Sequence, residues 1–204
     1  MRPVILLCLA AQLMSACATT PAPHVSGFLD SYDGFEPDPA DSSLLWWERP
    51  DFNWTDYHGV LLEPVSVYYH PEAKQHEILP QELENLRVVF HDAVVAELGD
   101  DFAVTADPAP GILRIRCAIT EVIPSNPGVN LVTSLVAFVA VDVGGAAIEF
   151  EILDSLTGER LAAGVDQKLG KSIDGLANLT RLGQAEHAFR DWAAELRVAF
   201  ETNP

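Results

Sequence analysis

Apolar residues fall into two rhythms along the chain, and these rhythms predict its elements. Steps of three and four carry Leu83, Leu86, Phe90, Ala93 and Val94, so a helix is expected from about Pro80 to Leu98, with Pro80 in the first turn and Gly99 as the stop. The same steps link Ala185, Phe189, Trp192, Leu196 and Phe200, which predicts a final helix over about Leu182 to Glu201. Alternation at every second residue predicts strands instead. It runs from Leu113 to Val122, with Arg114 and Arg116 outward and Cys117 inward beside Ile115 and Ile119. It returns at Ile148, Phe150 and Ile152, with Glu149 and Glu151 outward. After a hairpin turn from Asp154 to Gly158, Leu161, Ala163, Val165 and Leu169 are expected to continue the inward face. Arg and Glu side chains facing each other outside would form solvated pairs worth little individually.

A strand is also expected from Val60 to Tyr69, with Val65, Val67 and Tyr69 on one face and Pro64 marking an edge or a bulge. A short strand near Phe102 to Thr105 precedes the Pro-rich turn at Pro108 to Gly111. The order strand, helix, several antiparallel strands, helix predicts an α+β fold: a two-layer sandwich of one mainly antiparallel sheet with two helices on one face. The region 26–58 has no sustained period but holds Phe28, Tyr32, Phe35, Trp46, Trp47, Phe52, Trp54 and Tyr57. Disordered segments are poor in aromatics, so a coil that wraps the domain and pins itself with rings is expected there.

The N-terminus follows different rules. Arg2 and the apolar stretch from Val4 to Leu13 read as an export signal over residues 1–16, too short for the roughly 20 apolar residues a bilayer-spanning helix needs. Leu13-Met14-Ser15-Ala16-Cys17 resembles the lipobox read by lipoprotein signal peptidase, with Cys17 as the residue to be lipidated. The competing reading is an ordinary secretory signal, for which Ser15, Ala16 and Ala18 are adequate residues around the cleavage site. Acyl chains on Cys17 would bury many methylenes at about 0.8 kcal/mol each, an effectively permanent membrane anchor. By resemblance to Gram-negative sorting rules, Ala18 after the cysteine implies the outer membrane, on its periplasmic face. Residues 17–25, with Pro21 and Pro23, form a lipidated leash; 26–58 is the wrapping coil and 59–204 the α+β domain.

Charge narrows the partners. Removing the signal takes Arg2 from 12 basic residues while all 30 acidic ones stay, a net of about −19 with the amine acylated. Such a surface repels phosphate backbones, so nucleic acid is not an expected partner. Of the three cysteines, Cys8 leaves with the signal and Cys17 is acylated, which leaves Cys117 alone as a buried thiol rather than a nucleophile.

Several stretches together resemble a proteobacterial lipoprotein family catalogued as a domain of unknown function, DUF3313. They are Ser26-Gly27-Phe28-Leu29 with Tyr32, Glu63-Pro64-Val65, and Leu113-Arg114-Ile115-Arg116 running to Thr120-Glu121-Val122. Ala147-Ile148-Glu149, Asp154-Ser155-Leu156-Thr157-Gly158-Glu159 and the closing Ala188-Phe189, Trp192-Ala193 and Leu196-Arg197 complete the set. The resemblance covers nearly the whole mature chain and implies a location, with no catalytic residues to carry over. Between Pro127 and Gly144 the chain is shorter and more apolar than the family pattern.

That region supplies the one candidate binding segment, since Val129 to Val141 carries no charge. Val129, Leu131, Val132, Leu135, Val136, Phe138 and Val139 form either a buried strand or loop under Gly144 and Gly145, or an exposed flap that binds lipid or a partner. His58, His70 and His76 lie near Glu63, Glu72 and Glu77, but their spacing matches no compact metal motif, and His187 with Asp191 is a local helical pair. Gly-x-Ser-x-Gly and Ser-x-x-Lys are absent, and Asp154 is expected to bond its own backbone. No catalytic residue, metal or cofactor is therefore expected. The leading expectation is a non-catalytic binding or accessory module of an envelope complex, held at the membrane by its lipid. The alternatives are a hydrolase acting on an envelope polymer and a purely structural lipoprotein.

Overall fold

The computed structural model describes residues 24–69, 78–99, 101–125, 144–170 and 180–202. They form a mixed, mostly antiparallel sheet of eight strands with two helices packed on one face, an α+β fold. The strands are β1 (Glu36–Pro37), β2 (Leu44–Glu48), β3 (Gly59–Leu62), β4 (Ser66–Val67), β5 (Ala103–Val104), β6 (Ile112–Ile123), β7 (Gly145–Asp154) and β8 (Arg160–Leu169). The helices are α1 (Pro80–Leu98) and α2 (Gly183–Thr202). The sheet order is β1-β2-β8-β7-β6-β3-β5, with β4 also on β6; the contacts of β3 and β4 are parallel and the rest antiparallel.

The helix stripes do what their spacing requires. Leu86, Phe90, Val94 and Leu98 of α1 and Ala185, Phe189, Trp192 and Ala193 of α2 are buried against the strands. Between them the rings of Phe90 and Phe189 meet at 5.5 Å. Cys117 is buried in this core, where loss of hydration pushes its thiol up to about 12, with the charge of Glu63 adding to the effect. The hairpin turn forms as expected: Asp154 Oδ1 accepts from the backbone N–H groups of Leu156 and Thr157, and Gly158 takes the left-handed φ of 70° that closes it.

The structure departs from the sequence expectations at four places. A strand, β2, lies inside the expected coil, because its backbone completes the free edge of β8 from Leu44↔Asp166 to Glu48↔Ala162. The strand expected from Val60 to Tyr69 is two short pieces broken around Pro64, which has no N–H to give the ladder; Tyr69 at the far end is exposed. The inward face of β8 changes parity. A register shift between Ile152 and Leu153 makes Leu161 an extra residue, so Leu161 and Ala162 both enter the core while Ala163 and Val165 turn to the opposite face. Finally, Glu149 and Glu151 are buried instead of solvated, because the N-terminal segment covers that face.

Candidate binding cleft

Cross-strand register lays the helix-side residues out in three rows. Ile115, Ile152, Ala162 and Glu48 form one; Cys117, Phe150, Gly164 and Trp46 the next; Ile119, Ile148, Asp166 and Leu44 the third. Two helices about 10 Å apart cover roughly four strands spaced about 4.8 Å. A sheet this wide therefore extends past its helices, and β2 carries the rows beyond α2. A cleft of about 500 Å³ lies between both helices and this face of the sheet, running from Trp46 and Asp166 across Phe150 and Cys117 to Leu62 of β3.

The middle row shapes its floor. Phe150 lies across Gly164, where a Cβ would come within 2.5 Å of the ring, and Trp46 approaches the same ring with centroids 5.9 Å apart. Only glycine allows this, so an aromatic pair replaces the missing side chain of β8. Phe90, Val94 and Leu196 close the cleft from the helices, and Trp54 and Trp192 stand at its sides.

The rim is acidic. Asp38, Asp41, Glu48, Asp166 and Glu195 all reach the cleft. Asp166 is 2% exposed; it accepts from Trp192 Nε1 at 2.5 Å and from Ser43 Oγ at 3.2 Å. Lys168 places its ammonium 3.4 Å from Asp166 and 2.6 Å from Glu195, and 5.9 Å from the Trp192 ring centroid. Burial works to lower the Lys168 pKa, but its bond to Glu195 and the Asp166 charge hold it above the usual value. Glu48 accepts from Trp54 Nε1 at 3.3 Å. A second, more polar hollow of about 490 Å³ adjoins the first through Asp41 and Glu195 and reaches Gln184, His187 and Asp191.

The opposite face of the sheet is sealed. Arg116, Glu151, Ala163 and Trp47 form one of its rows, and Ala118, Glu149, Val165 and Leu45 the next. Glu149, fully buried, accepts from the Ser26 backbone N–H and from the Tyr32 hydroxyl, the latter at 2.5 Å. Burial and then the bond to Glu149 push the Tyr32 phenol up to about 12. Glu151 pairs with Arg116 and, at 3.0 Å, with Arg160, whose guanidinium also donates to the Ser31 carbonyl. Arg116 in turn lies under Phe28, 5.5 Å from its centroid. The segment from Ser26 to Tyr32 is thus a strap tied to the centre of the sheet.

Cys17 and the apolar residues Val129, Leu131, Val132, Leu135, Val136, Phe138 and Val139 lie outside the described residues, as do His70 and His76. His58 packs against Gly111, and His187 sits 3.8 Å from Asp191, both side chains half-exposed. Among the described residues no group of three or more His, Cys, Asp or Glu could hold a metal ion, and no helix is long and apolar enough to cross a membrane. Sequence reasoning missed the cleft. The signal available was Asp166 and Lys168 interrupting an otherwise small and apolar strand on the parity of Gly164.

Comparison with solved structures finds similar folds at low identity. The PelC dodecamer from Paraburkholderia phytofirmans matches with a TM-score of 0.44 and 15% identity, covering 79% of this chain and 98% of that one. The hypothetical protein CT253 from Chlamydia trachomatis matches at 0.45 and 14%, covering 71% and 98%. Protein XCC0632 from Xanthomonas campestris, of family DUF330, matches at 0.40 and 12%, covering 89% and 95%. Comparison with curated proteins gives no match. The family profile described as "Protein of unknown function (DUF3313)" matches residues 24–196, nearly all of the sheet and both helices, and the chain belongs to that family.

Proposed function

We propose that this protein is an outer-membrane lipoprotein, anchored through Cys17 on the periplasmic side, whose domain is a non-catalytic binding module of the envelope. The observation that carries the binding role is the cleft under α2, roughly 500 Å³ and floored by aromatic and aliphatic side chains, which is the size and character of a ligand site. Of its carboxylates, Asp166 is held by Trp192 and Ser43 and Glu195 by Lys168, which favours a binding role for that end of the cleft. The anchor rests on the Leu13-to-Cys17 sequence. The strap ties the chain to the polar face at Ser26, nine residues after Cys17, so the anchor lies at most about 30 Å from that attachment.

Cys17→Ser tests the anchor. The wild-type protein is expected in the outer-membrane fraction with a mass raised by acyl chains, and the variant in neither state. An unchanged mass and fractionation would overturn the assignment.

A further inference from the structure

The chemistry of the cleft specifies more than apolar contact. Trp46, Phe150, Trp54 and Trp192 all line it, and aromatic rings carry negative potential on their faces. Carboxylates stand among these rings, and the protein's own alkylammonium, Lys168, already rests at one margin over Trp192 and between Asp166 and Glu195. That contact satisfies one end of the rim. At the other end of β2, four residues beyond Leu44, the Glu48 carboxylate takes only a neutral indole N–H among the described residues. That bond orients the carboxylate without neutralising it. A cavity walled by several aromatic rings and bordered by carboxylates complements a cation that sheds its water easily; it disfavours an anion, and it gives an uncharged guest only its hydrophobic part.

We infer that the cleft binds an apolar organic cation, a quaternary or alkyl ammonium group carrying hydrocarbon, with the aromatic floor around the charge and Glu48 facing it. This rests on the cleft being a binding site, as proposed above, and adds the class of ligand. The same carboxylates disfavour purely anionic groups.

The test uses the mature chain with Cys17→Ser and three probes of one size: benzyltrimethylammonium, benzyl alcohol and benzenesulfonate. Binding is read from tryptophan indole N–H shifts and from fluorescence. Benzyltrimethylammonium is expected to shift Trp46, Trp54 and Trp192 and to bind about tenfold more tightly than the alcohol, the scale of a desolvated cation–π contact. Benzenesulfonate should not bind. Glu48→Gln, which keeps an acceptor for Trp54, should weaken the cation severalfold and leave the alcohol unchanged. Equal binding of cation and alcohol would overturn the cation inference while leaving the cleft as an apolar site. Shifts from the cation that miss these tryptophans would also overturn it, as loose attraction to an acidic surface. No binding by any probe would overturn both the inference and the binding role of the cleft.

Discussion

The two faces of this sheet bury charge in opposite ways. On the strap side, Glu149 and Glu151 are nearly inaccessible, yet their oxygens receive the Ser26 N–H, the Tyr32 hydroxyl and two guanidinium groups. On the helix side, Asp166 is as deeply placed and as well bonded, but the space beside it stays open. A strap can follow the polar surface residue by residue and supply a donor wherever one is needed. Two rigid helices cannot follow every side chain of the sheet beneath them, and the space left between the layers is a cleft. One face is therefore built for closure and the other for access.

The strongest way to break this contrast is to remove the anchor of the strap. Glu149→Ala leaves two donors without their acceptor, each worth about 1 to 3 kcal/mol, so a loss of about 2 to 6 kcal/mol is expected in urea unfolding. Limited proteolysis should then cut within residues 26–35 while the helices stay protected. A variant of unchanged stability and unchanged cleavage would show that the strap does not depend on this carboxylate.

Gly164→Ala sharpens the other side. The new methyl would press on the Phe150 ring and force it toward the cleft, at about 1 to 3 kcal/mol for an overpacked site. Unfolding should report that loss, and the ring shift should displace the Trp46 indole resonance. An Ala variant as stable as the parent, with Trp46 unmoved, would mean the floor is not fixed by this glycine.

The smallest effect is expected from acid. Asp154 is held below the usual aspartate range, chiefly by the Thr157 N–H, and Glu82 is lowered by its bond to Arg181. Folded values below unfolded ones mean a contribution present above the ordinary carboxylate pKa near 4 and lost as pH falls through the folded values. Asp154→Asn should flatten the decline in urea midpoint between about pH 5 and pH 2, a window set by these ordinary values. A variant with the parent's slope would remove Asp154 from the account.

Much of this was legible before any coordinates. Helix α1 spans the residues its stripe and its Pro80 and Gly99 boundaries predict, and the hairpin at Asp154 forms from turn chemistry alone. Both are local: the energies that decide them act within four residues. The parity of β8 was not legible, because one extra residue at Leu161 inverts every position after it and the shift exists only relative to β7. Nor was the burial of Glu149, whose partners lie 117 and 123 residues away along the chain.

The sequence by itself determined the periodic elements, the fold class, the acidic surface and the family, since each is carried by spacing or composition within short windows. Tertiary structure alone decided which face of the sheet is covered and which is open, because that depends on how two helices sit over the strands and on where a distant strap lands. The cleft, with Trp46, Phe150 and Asp166 brought together from three strands, is a product of that geometry.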